Sequence, residues 1–352
     1  MSRSRVGVRT VDAPERYDAD ALAALVAAKG DATVSMCIPC RDEAATIGPL
    51  VSAVQDSLVE RIGLVDELVV LDDRSTDDTA RVAAHAGATV VSIEEIHAEH
   101  GTGHGKGNAL WATLLASSGD LVVWCDGDVT SFEPDWVAKL IQPMLLDGFE
   151  RGAASGSPSA GGHSSGGHSS GGHSSGGRPV SEPPVAMVKA LYHRPTKYGG
   201  GGRTTELVAR PLMSRFFPEL TGLAQPLSGE YAARRCVLEE LEFIQGWGVE
   251  MALLIDVAER HGSSAIAQVD LGQRLHRHQN LHTLSVQAAE VMSTVLDRAG
   301  VTAGHSDDPS LHRADGSEVP LNLDVRPAVA ALRDREHARN DQGRSGQVRR
   351  AS

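Results

Sequence analysis

The sequence LVVWCDGD, residues 121–128, is the most informative stretch of this chain. In it a short apolar run is followed directly by two aspartates, Asp126 and Asp128. A short apolar run of this kind predicts a buried strand. Burying two carboxylates without partners costs free energy, so core packing does not explain them. A hard divalent cation, in contrast, binds carboxylates together with phosphate oxygens. The stretch therefore predicts a metal site for a diphosphate at the end of a central strand.

The segments on either side of this strand alternate between β-rich runs and helical spacing. We predict strands at residues 33–38, 67–71, 88–92 and 120–125, with helices at 43–61, 76–86, 106–116 and 134–146. A second succession of strands and helices follows at 184–192, 199–220, 249–260, 264–270 and 281–299. This alternation predicts an α/β fold with a mainly parallel sheet flanked by helices.

Polar clusters follow three of the predicted strands, at residues 39–43, 72–75 and 126–128. Ligands of open α/β sheets bind at the carboxyl ends of the strands, so we expect these clusters to form one site. Asp72 and Asp73 are expected to face a nucleotide. Residues 75–78 are expected to cap the following helix, since Ser, Thr and Asp favour helix starts.

A glycine-rich loop at residues 101–107 precedes a predicted helix. Its spacing excludes a Walker phosphate loop, because His100 and Gly107 stand where that motif needs Gly and Ser or Thr. The spacing of the dinucleotide fingerprint is absent as well. The loop places Lys106 at a helix start, which is suited to a point-charge contact with a diphosphate.

A second glycine run, residues 199–202, leads into Arg203 and Thr205. An anion-binding loop is favoured over a plain linker here, since Arg203 in a first helical turn opposes the helix dipole unless an anion is present. After the predicted strand 264–270, alternation places three polar side chains on one face: Arg274, His276 and His278. His276 is a candidate to complete a metal site with Asp128. Glu230 and Glu250 are read either as helix caps or as contacts to sugar hydroxyls.

The composition sets limits on function. The chain has 352 residues and a net charge of −13, which argues against a nucleic-acid partner. Its four cysteines are too few for a disulfide framework, and the Cys37–Cys40 pair lacks the second pair that a structural zinc site needs. No apolar run approaches the length of a membrane span, so a cytoplasmic location is the default expectation.

Residues 152–184 interrupt the pattern with a Gly/Ser-rich stretch that contains three GGHSS units. A flexible surface insertion is favoured over a metal-chelating histidine tract, because such a composition buries too little apolar surface. The insertion, 151–184, thus separates a half at 1–150, which holds the predicted nucleotide-facing clusters, from a smaller part at 185–300, which holds the candidate anion-binding and metal-completing residues. Residues 301–352 are predicted to form a polar flexible tail.

These motifs together resemble one family, the glucosyl-3-phosphoglycerate synthases, which are retaining glycosyltransferases with a GT-A-type fold. The motifs that carry the resemblance are P-x-R-x-E at 39–43, DD at 72–73, GKG at 105–107, DGD at 126–128, GRTTEL at 202–207, GVE at 248–250 and R-x-H-R at 274–277. The DGD motif is shared by many families, whereas GRTTELVARPL and AQVDLGQRLHRH are far more specific. Members of the family carry Asn at the position of His278.

The resemblance implies transfer of glucose from UDP-glucose to the 2-hydroxyl of 3-phosphoglycerate, with Mg²⁺ or Mn²⁺ as cofactor. It also implies a role for each matched residue. Those on the donor side are Pro39, Arg41, Glu43, Asp72, Asp73, Lys106, Asp126 and Gly127. Those on the acceptor side are Gly202, Arg203, Thr205, Arg274 and His278. The metal ligands are Asp128 and His276, and the catalytic group comprises Asp128, Lys106 and Glu250, with Glu250 contacting the donor glucose.

Two other functions stay open at this point. One is a related GT-A transferase with another donor, such as GDP-mannose to make mannosyl-3-phosphoglycerate. The other is a metal-dependent nucleotide-binding protein without transferase activity. For retention we expect attack by the acceptor hydroxyl on the face that the leaving group departs from, with leaving-group phosphate as base; Glu250 as nucleophile is the alternative. The oligomeric state is open, with a homodimer as the candidate assembly.

Overall fold

A computed structural model describes residues 7–147, 183–193, 202–274, 280–301 and 309–335. Nearly all of the Gly/Ser/His insertion lies outside these residues, as do His276 and His278. The division of the chain into four parts therefore stays a prediction.

Twelve strands and ten α-helices form the described fold. The strands are β1 (Arg9–Val11), β2 (Val34–Cys40), β3 (Glu67–Asp72), β4 (Thr89–Ser92), β5 (Leu121–Trp124), β6 (Met187–His193), β7 (Tyr231–Arg234), β8 (Phe243–Ile244), β9 (Ile266–Gln273), β10 (Ser310–His312), β11 (Glu318–Pro320) and β12 (Val325–Arg326). The helices are α1 (Ala19–Lys29), α2 (Ile47–Val54), α3 (Thr79–His85), α4 (Ile93–His100), α5 (Lys106–Leu115), α6 (Asp135–Leu146), α7 (Arg210–Phe216), α8 (Arg235–Leu238), α9 (Val249–His261) and α10 (Leu281–Arg298).

Eight strands form the central sheet in the order β1-β9-β6-β7-β5-β2-β3-β4. All neighbours are parallel except β7, which runs antiparallel to both β5 and β6. The predicted α/β class and mainly parallel sheet are confirmed. The antiparallel direction of β7 was not predicted.

The sheet is buried on both faces, as its apolar strands require. Alternate residues of β5 point to opposite sides: Leu121 and Val123 join one apolar cluster with α2 and α6, and Val122 and Trp124 join another with α5 and α9. The two layers of helices fix the sheet from both sides. The carboxyl ends of β2, β3 and β5 are thereby held at a common edge.

The helix predicted at 43–61 begins only at Ile47 and continues as a π-helix, Gln55–Arg61. Its first residues instead form a turn that is held by side chains. Glu43 N donates to Thr79 Oγ1 at 2.8 Å, and Ala44 N donates to Asp77 Oδ2 at 3.1 Å. Asp42 has a φ of 57° at this turn. The helix therefore starts late because the loop amides bind the neighbouring loop.

Part of the predicted tail, residues 309–335, forms secondary structure. Strands β10 and β11 pair with each other, and β12 pairs with β8. Arg326 and Val329 are buried. Strand pairing, the hydrogen bonds of Arg326 and the packing of Val329 and Leu332 against the apolar core hold this segment, and its polar composition alone does not indicate these contacts.

Candidate active site at the carboxyl edge of the sheet

The ends of β2, β3 and β5 meet at one edge, as predicted. Asp73 N donates to Cys40 O at 2.8 Å, which joins the segments after β3 and β2. Thr46 Oγ1 donates to Gly127 O at 2.7 Å and to Glu43 Oε2 at 3.2 Å. A side chain at Gly127 would lie 2.6 Å from Cys40 Sγ, so the loop after β5 can pack here only as glycine.

Arg74 connects the loop after β3 to the glycine-rich loop. It donates through Nη2 to Asp73 Oδ1 at 2.8 Å and to Gly103 O at 3.4 Å. Its Nη1 lies 3.2 Å from His104 Nδ1. Arg74 has a φ of 59°, a conformation uncommon for non-glycine residues. Two sequence motifs 30 residues apart thus form one wall of the site.

Lys106 lies at the start of α5 between two carboxylates. Its Nζ is 3.0 Å from Asp126 Oδ1 and 2.7 Å from Oε1 of Glu250, which lies in the first turn of α9. Burial alone would disfavour the ammonium, yet the two carboxylates raise the pKa of Lys106 well above its usual value. Lys106 is therefore a fixed positive charge inside the site.

Arg274, which follows β9, binds the carboxylates from the other side. Its Nη2 lies 2.9 Å from Asp126 Oδ2 and 3.8 Å from Asp128 Oδ1. Its Nε donates to Glu230 Oε1 at 2.9 Å. Burial opposes ionisation of Asp126, but Lys106 and Arg274 prevail and lower its pKa to about 2. Burial raises the pKa of Glu230 despite Arg274, so Glu230 is the weaker acid of the two.

Glycine is needed where the loop before β7 crosses Asp126. A side chain at Gly229 would lie 2.0 Å from Asp126 Oδ2. The loop therefore packs directly on the carboxylate and brings Glu230 to Arg274. The sequence pointed to Glu230 only as a cap or sugar contact, and its position beside the DGD motif was not foreseen.

Lys189 in β6 is a second buried cation that sequence reasoning missed. It is 1% exposed, donates through Nζ to Ser228 O at 2.7 Å, and lies 4.0 Å from the centre of the Tyr231 ring. Burial lowers its pKa to about 7. A lone lysine in the middle of the apolar strand VAMVKAL was the signal that could have identified it.

Asp126 and Asp128 lie side by side at this edge. Lys106 Nζ is 3.0 Å from Asp126 Oδ1, and Arg274 Nη2 is 2.9 Å from Asp126 Oδ2 and 3.8 Å from Asp128 Oδ1. The two side chains are 27% and 30% exposed, so exposure does not distinguish them, and the assignment of Asp128 as the metal ligand stays a prediction. The described residues contain no group of three acidic, histidine or cysteine side chains able to hold a metal. The predicted second ligand, His276, lies outside them, so a site made of Asp128, His276 and phosphate oxygens stays a prediction.

The remaining donor-side residues lie at the same edge. Pro39 is half-buried at the end of β2, and Arg41 is exposed beside it. Asp72 Oδ1 is buried, and it has no hydrogen-bond partner in the described part of the chain. A buried acceptor of this kind is suited to a donor from a ligand, such as the N–H of a nucleobase.

The predicted acceptor loop leads into a π-helix, Thr205–Ala209, that continues into α7 and packs against α10. Arg203 is exposed and Thr205 is buried at its start, after Gly202. The contacts traced above connect the donor-side residues and Arg274. Gly202, Arg203 and Thr205 lie at the start of this helical segment. Their contact with a ligand stays a prediction, as does that of His278.

Comparison with known proteins shows which family this chain is similar to. Residues 35–151 match the model of glycosyl transferase family 2. The glucosyl-3-phosphoglycerate synthase of Petrotoga mobilis is 40% identical, with 77% of this chain and 74% of the relative covered. That of Mycolicibacterium paratuberculosis is 39% identical, with 89% of each chain covered.

A solved structure is similar over the whole fold. The Mycobacterium tuberculosis glucosyl-3-phosphoglycerate synthase, crystallised with Mn²⁺, UDP-glucose and phosphoglyceric acid, has a TM-score of 0.73 and 36% identity; 93% of this chain and 99% of that chain are covered. No helix in the described ranges is long and apolar enough to cross a membrane. The chain belongs to the family of glucosyl-3-phosphoglycerate synthases, with the GT-A fold of that family.

Proposed function

We propose that this chain transfers glucose from UDP-glucose to the 2-hydroxyl of 3-phosphoglycerate, with retention of the anomeric configuration and with a divalent cation as cofactor. The observation that carries the proposal is the edge formed by Asp126, Asp128, Lys106 and Arg274, in a chain 36% identical to a synthase crystallised with Mn²⁺, UDP-glucose and phosphoglyceric acid. A nucleotide-sugar transferase needs positive charge where the diphosphate leaves, and Lys106, Arg274 and a divalent cation bound at this edge would supply it together.

The charged side chains at this edge of the sheet would favour the step in which UDP departs. Asp128 and His276 would hold Mg²⁺ or Mn²⁺, which supplies charge neutralisation to the diphosphate. Lys106 and Arg274 are fixed by carboxylates before substrate binds, so little reorganisation is needed as negative charge develops. The pair Lys106–Asp126 is therefore proposed to hold the diphosphate and ribose side of the donor.

The role of Glu250 follows from its surroundings. Its side chain is 4% exposed, and Oε1 accepts from Lys106 Nζ at 2.7 Å. A carboxylate engaged in a buried ion pair is a poor nucleophile, which supports contact with the donor glucose and positioning of Lys106 instead. We therefore favour attack by the acceptor hydroxyl on the face that UDP leaves from, with leaving-group phosphate taking the proton.

The two substrate pockets are assigned from the predicted motifs. Pro39, Arg41, Glu43, Asp72 and Asp73 would hold the uridine, which the unmet acceptor on Asp72 supports. The acceptor phosphate and carboxylate would be bound by Gly202, Arg203, Thr205, Arg274 and His278, because a guanidinium and a helix start both bind anions. A cytoplasmic location belongs to this proposal, since both substrates are highly charged.

A matrix of donors and acceptors tests the proposal. UDP-glucose and GDP-mannose are each incubated with 3-phosphoglycerate or glycerate, with Mn²⁺ or with EDTA, and products are identified by mass and by anomeric coupling in NMR. We expect one product, α-linked glucosyl-3-phosphoglycerate, from UDP-glucose with metal. Mannosyl transfer from GDP-mannose would establish the alternative donor. Binding of UDP without transfer to any acceptor would refute the transferase assignment.

A further inference from the structure

The glycine-rich loop that leads to Lys106 is covered by a segment far along the chain, residues 322–326, which we call the clamp. Strand β12 at the end of the clamp pairs antiparallel with β8, so that Val325 faces Ile244 and Arg326 faces Phe243. Gln245, directly after β8, donates through its N to Asp324 O at 2.8 Å. The clamp is thus anchored beside the loop by the strand that precedes α9.

Arg326 makes the central contacts of the clamp. The residue is 5% exposed, and its guanidinium lies 4.7 Å from the centre of the Trp111 ring. Nη1 donates to His100 O at 3.0 Å, Nη2 to Gly101 O at 2.8 Å, and Nε to Asn108 Oδ1 at 2.7 Å. His100 and Gly101 stand at the start of the glycine-rich loop, and Asn108 follows its end. One planar side chain therefore fixes both ends of that loop.

Two further contacts hold the middle of the loop. Asn322 Nδ2 donates to His104 O at 2.6 Å, and His104 N donates to Gln245 Oε1 at 3.0 Å. Since His104 and Gly103 are the groups that meet Arg74, the clamp acts on the side of the loop that faces the Asp72–Asp73 segment.

The glycines explain why the clamp can approach so closely. A side chain at Gly103 would lie 2.2 Å from Arg326 Nη2, and one at Gly105 would lie 3.0 Å from Asn322 Nδ2. Gly105 also has a φ of 91°. Asn108 and Gln245 approach these glycines as closely, since Asn108 Oδ1 would lie 2.1 Å from a side chain at Gly103 and Gln245 O would lie 2.7 Å from one at Gly105. The glycines are therefore required by packing against the clamp together with Asn108 and Gln245.

We propose that Arg326 is a positioning residue for the donor: it fixes the glycine-rich loop and thereby holds Lys106 and the Arg74 contact where the nucleotide diphosphate binds. This inference rests on the proposed function, in that Lys106 is taken to face the diphosphate. Arg326 acts through the loop and through no contact of its own with the reacting atoms. Its loss should weaken donor binding more than acceptor binding.

The test replaces Arg326 by Met and uses Arg298→Met as the matched control. Arg298 is a half-buried arginine that, like Arg326, makes several hydrogen bonds. It donates to Asp256 at 2.8 and 3.2 Å and thereby joins α10 to α9. Both variants lose a hydrogen-bonded guanidinium and should melt at lower temperature. UDP affinity with Mn²⁺ is measured by calorimetry, and amide exchange of residues 100–108 by mass spectrometry.

We expect R326M to raise the Kd for UDP and the KM for UDP-glucose by about tenfold to a hundredfold, as misplacement of a binding group does. The KM for 3-phosphoglycerate should change less than threefold, and exchange of residues 100–108 should speed up. R298M should leave all of these as in wild type. R326K should give values between those of R326M and wild type, because an ammonium cannot reproduce the planar arrangement of the three hydrogen bonds to His100, Gly101 and Asn108.

Equal donor KM and exchange in R326M and wild type would overturn the inference and leave Arg326 a purely structural residue. If R326M does not fold, Asn322→Ala decides: faster exchange around His104 with a raised Kd for UDP supports the inference, and wild-type values refute it. A wild type that binds UDP but transfers no glucose would refute the proposed function instead, and the binding and exchange measurements would still report on the clamp.

Discussion

The donor side and the acceptor side of this enzyme are built differently. On the donor side, loops after β2, β3 and β5 and the glycine-rich loop are joined by hydrogen bonds and ion pairs such as Asp73–Cys40, Arg74–Gly103 and Lys106–Asp126. On the acceptor side, Arg203 is exposed at the start of a short helical segment. Of the residues predicted to bind the acceptor, Arg203 is exposed, whereas Thr205 and Arg274 are buried. We therefore expect the donor side to be preorganised and the acceptor to be bound in part by a surface side chain.

The largest expected effect comes from the metal ligand. Asp128→Asn keeps the size of the side chain but removes the charge that a divalent cation needs. Loss of several kcal/mol of charge stabilisation corresponds to a fall in kcat of about a thousandfold or more. Turnover of UDP-glucose and 3-phosphoglycerate, with Mn²⁺ binding followed by EPR, measures this. A variant that binds Mn²⁺ and turns over normally would remove Asp128 from the metal site.

Lys106→Met tests the preorganised donor side. The change leaves Glu250 buried without its ammonium, which should cost about 3–5 kcal/mol of stability, and it should also lower kcat. Lys29→Met is the matched control, because Lys29 is buried and pairs with Asp66 at 2.7 Å, before β3 at the opposite edge of the sheet. Urea unfolding and steady-state kinetics separate the two. Unchanged kcat in a folded Lys106→Met enzyme would contradict the account.

Arg203→Ala tests the acceptor side. Loss of charge-assisted hydrogen bonds worth about 1.5–3 kcal/mol should raise the KM for 3-phosphoglycerate by roughly tenfold to a hundredfold, with the KM for UDP-glucose unchanged. Arg210→Ala is the control, since Arg210 lies on the following helix and pairs with Glu206 at 3.2 Å. If both variants behave alike, or if the donor KM rises instead, Arg203 does not bind the acceptor.

The effect of pH is the smallest when it is counted per pH unit. Burial lowers the pKa of Lys189 to about 7, below that of an unfolded lysine. Between these two values the unfolded chain binds more protons, so this group makes the fold more stable as pH rises from about 7 towards 10. The slope approaches about 1.4 kcal/mol per pH unit. Urea unfolding of wild type and Lys189→Met at several pH values measures it, and parallel curves would contradict the lowered pKa.

Much of the donor side could be predicted from the sequence because strand ends in a parallel sheet share an edge. The apolar run before Asp126 and the DD pair at 72–73 both carried this information, and Lys106 was recognisable at a helix start. Lys189 and the clamp were missed because their roles depend on contacts with residues far away in the sequence. Lys189 contacts Ser228 and Tyr231, and the clamp contacts the glycine-rich loop. Ser92 and Glu95, which form a capping box, could have revealed α4.

The central claim is that Asp128 holds the cation that neutralises the departing diphosphate. The most direct measurement is a crystal structure with Mn²⁺ and UDP, in which anomalous scattering locates the manganese. We expect a manganese peak about 2.0–2.2 Å from an Asp128 carboxylate oxygen, with phosphate oxygens and His276 as the other ligands. Lys106 should remain beside Asp126. Manganese bound elsewhere, with UDP seated and Asp128 turned to solvent, would contradict it.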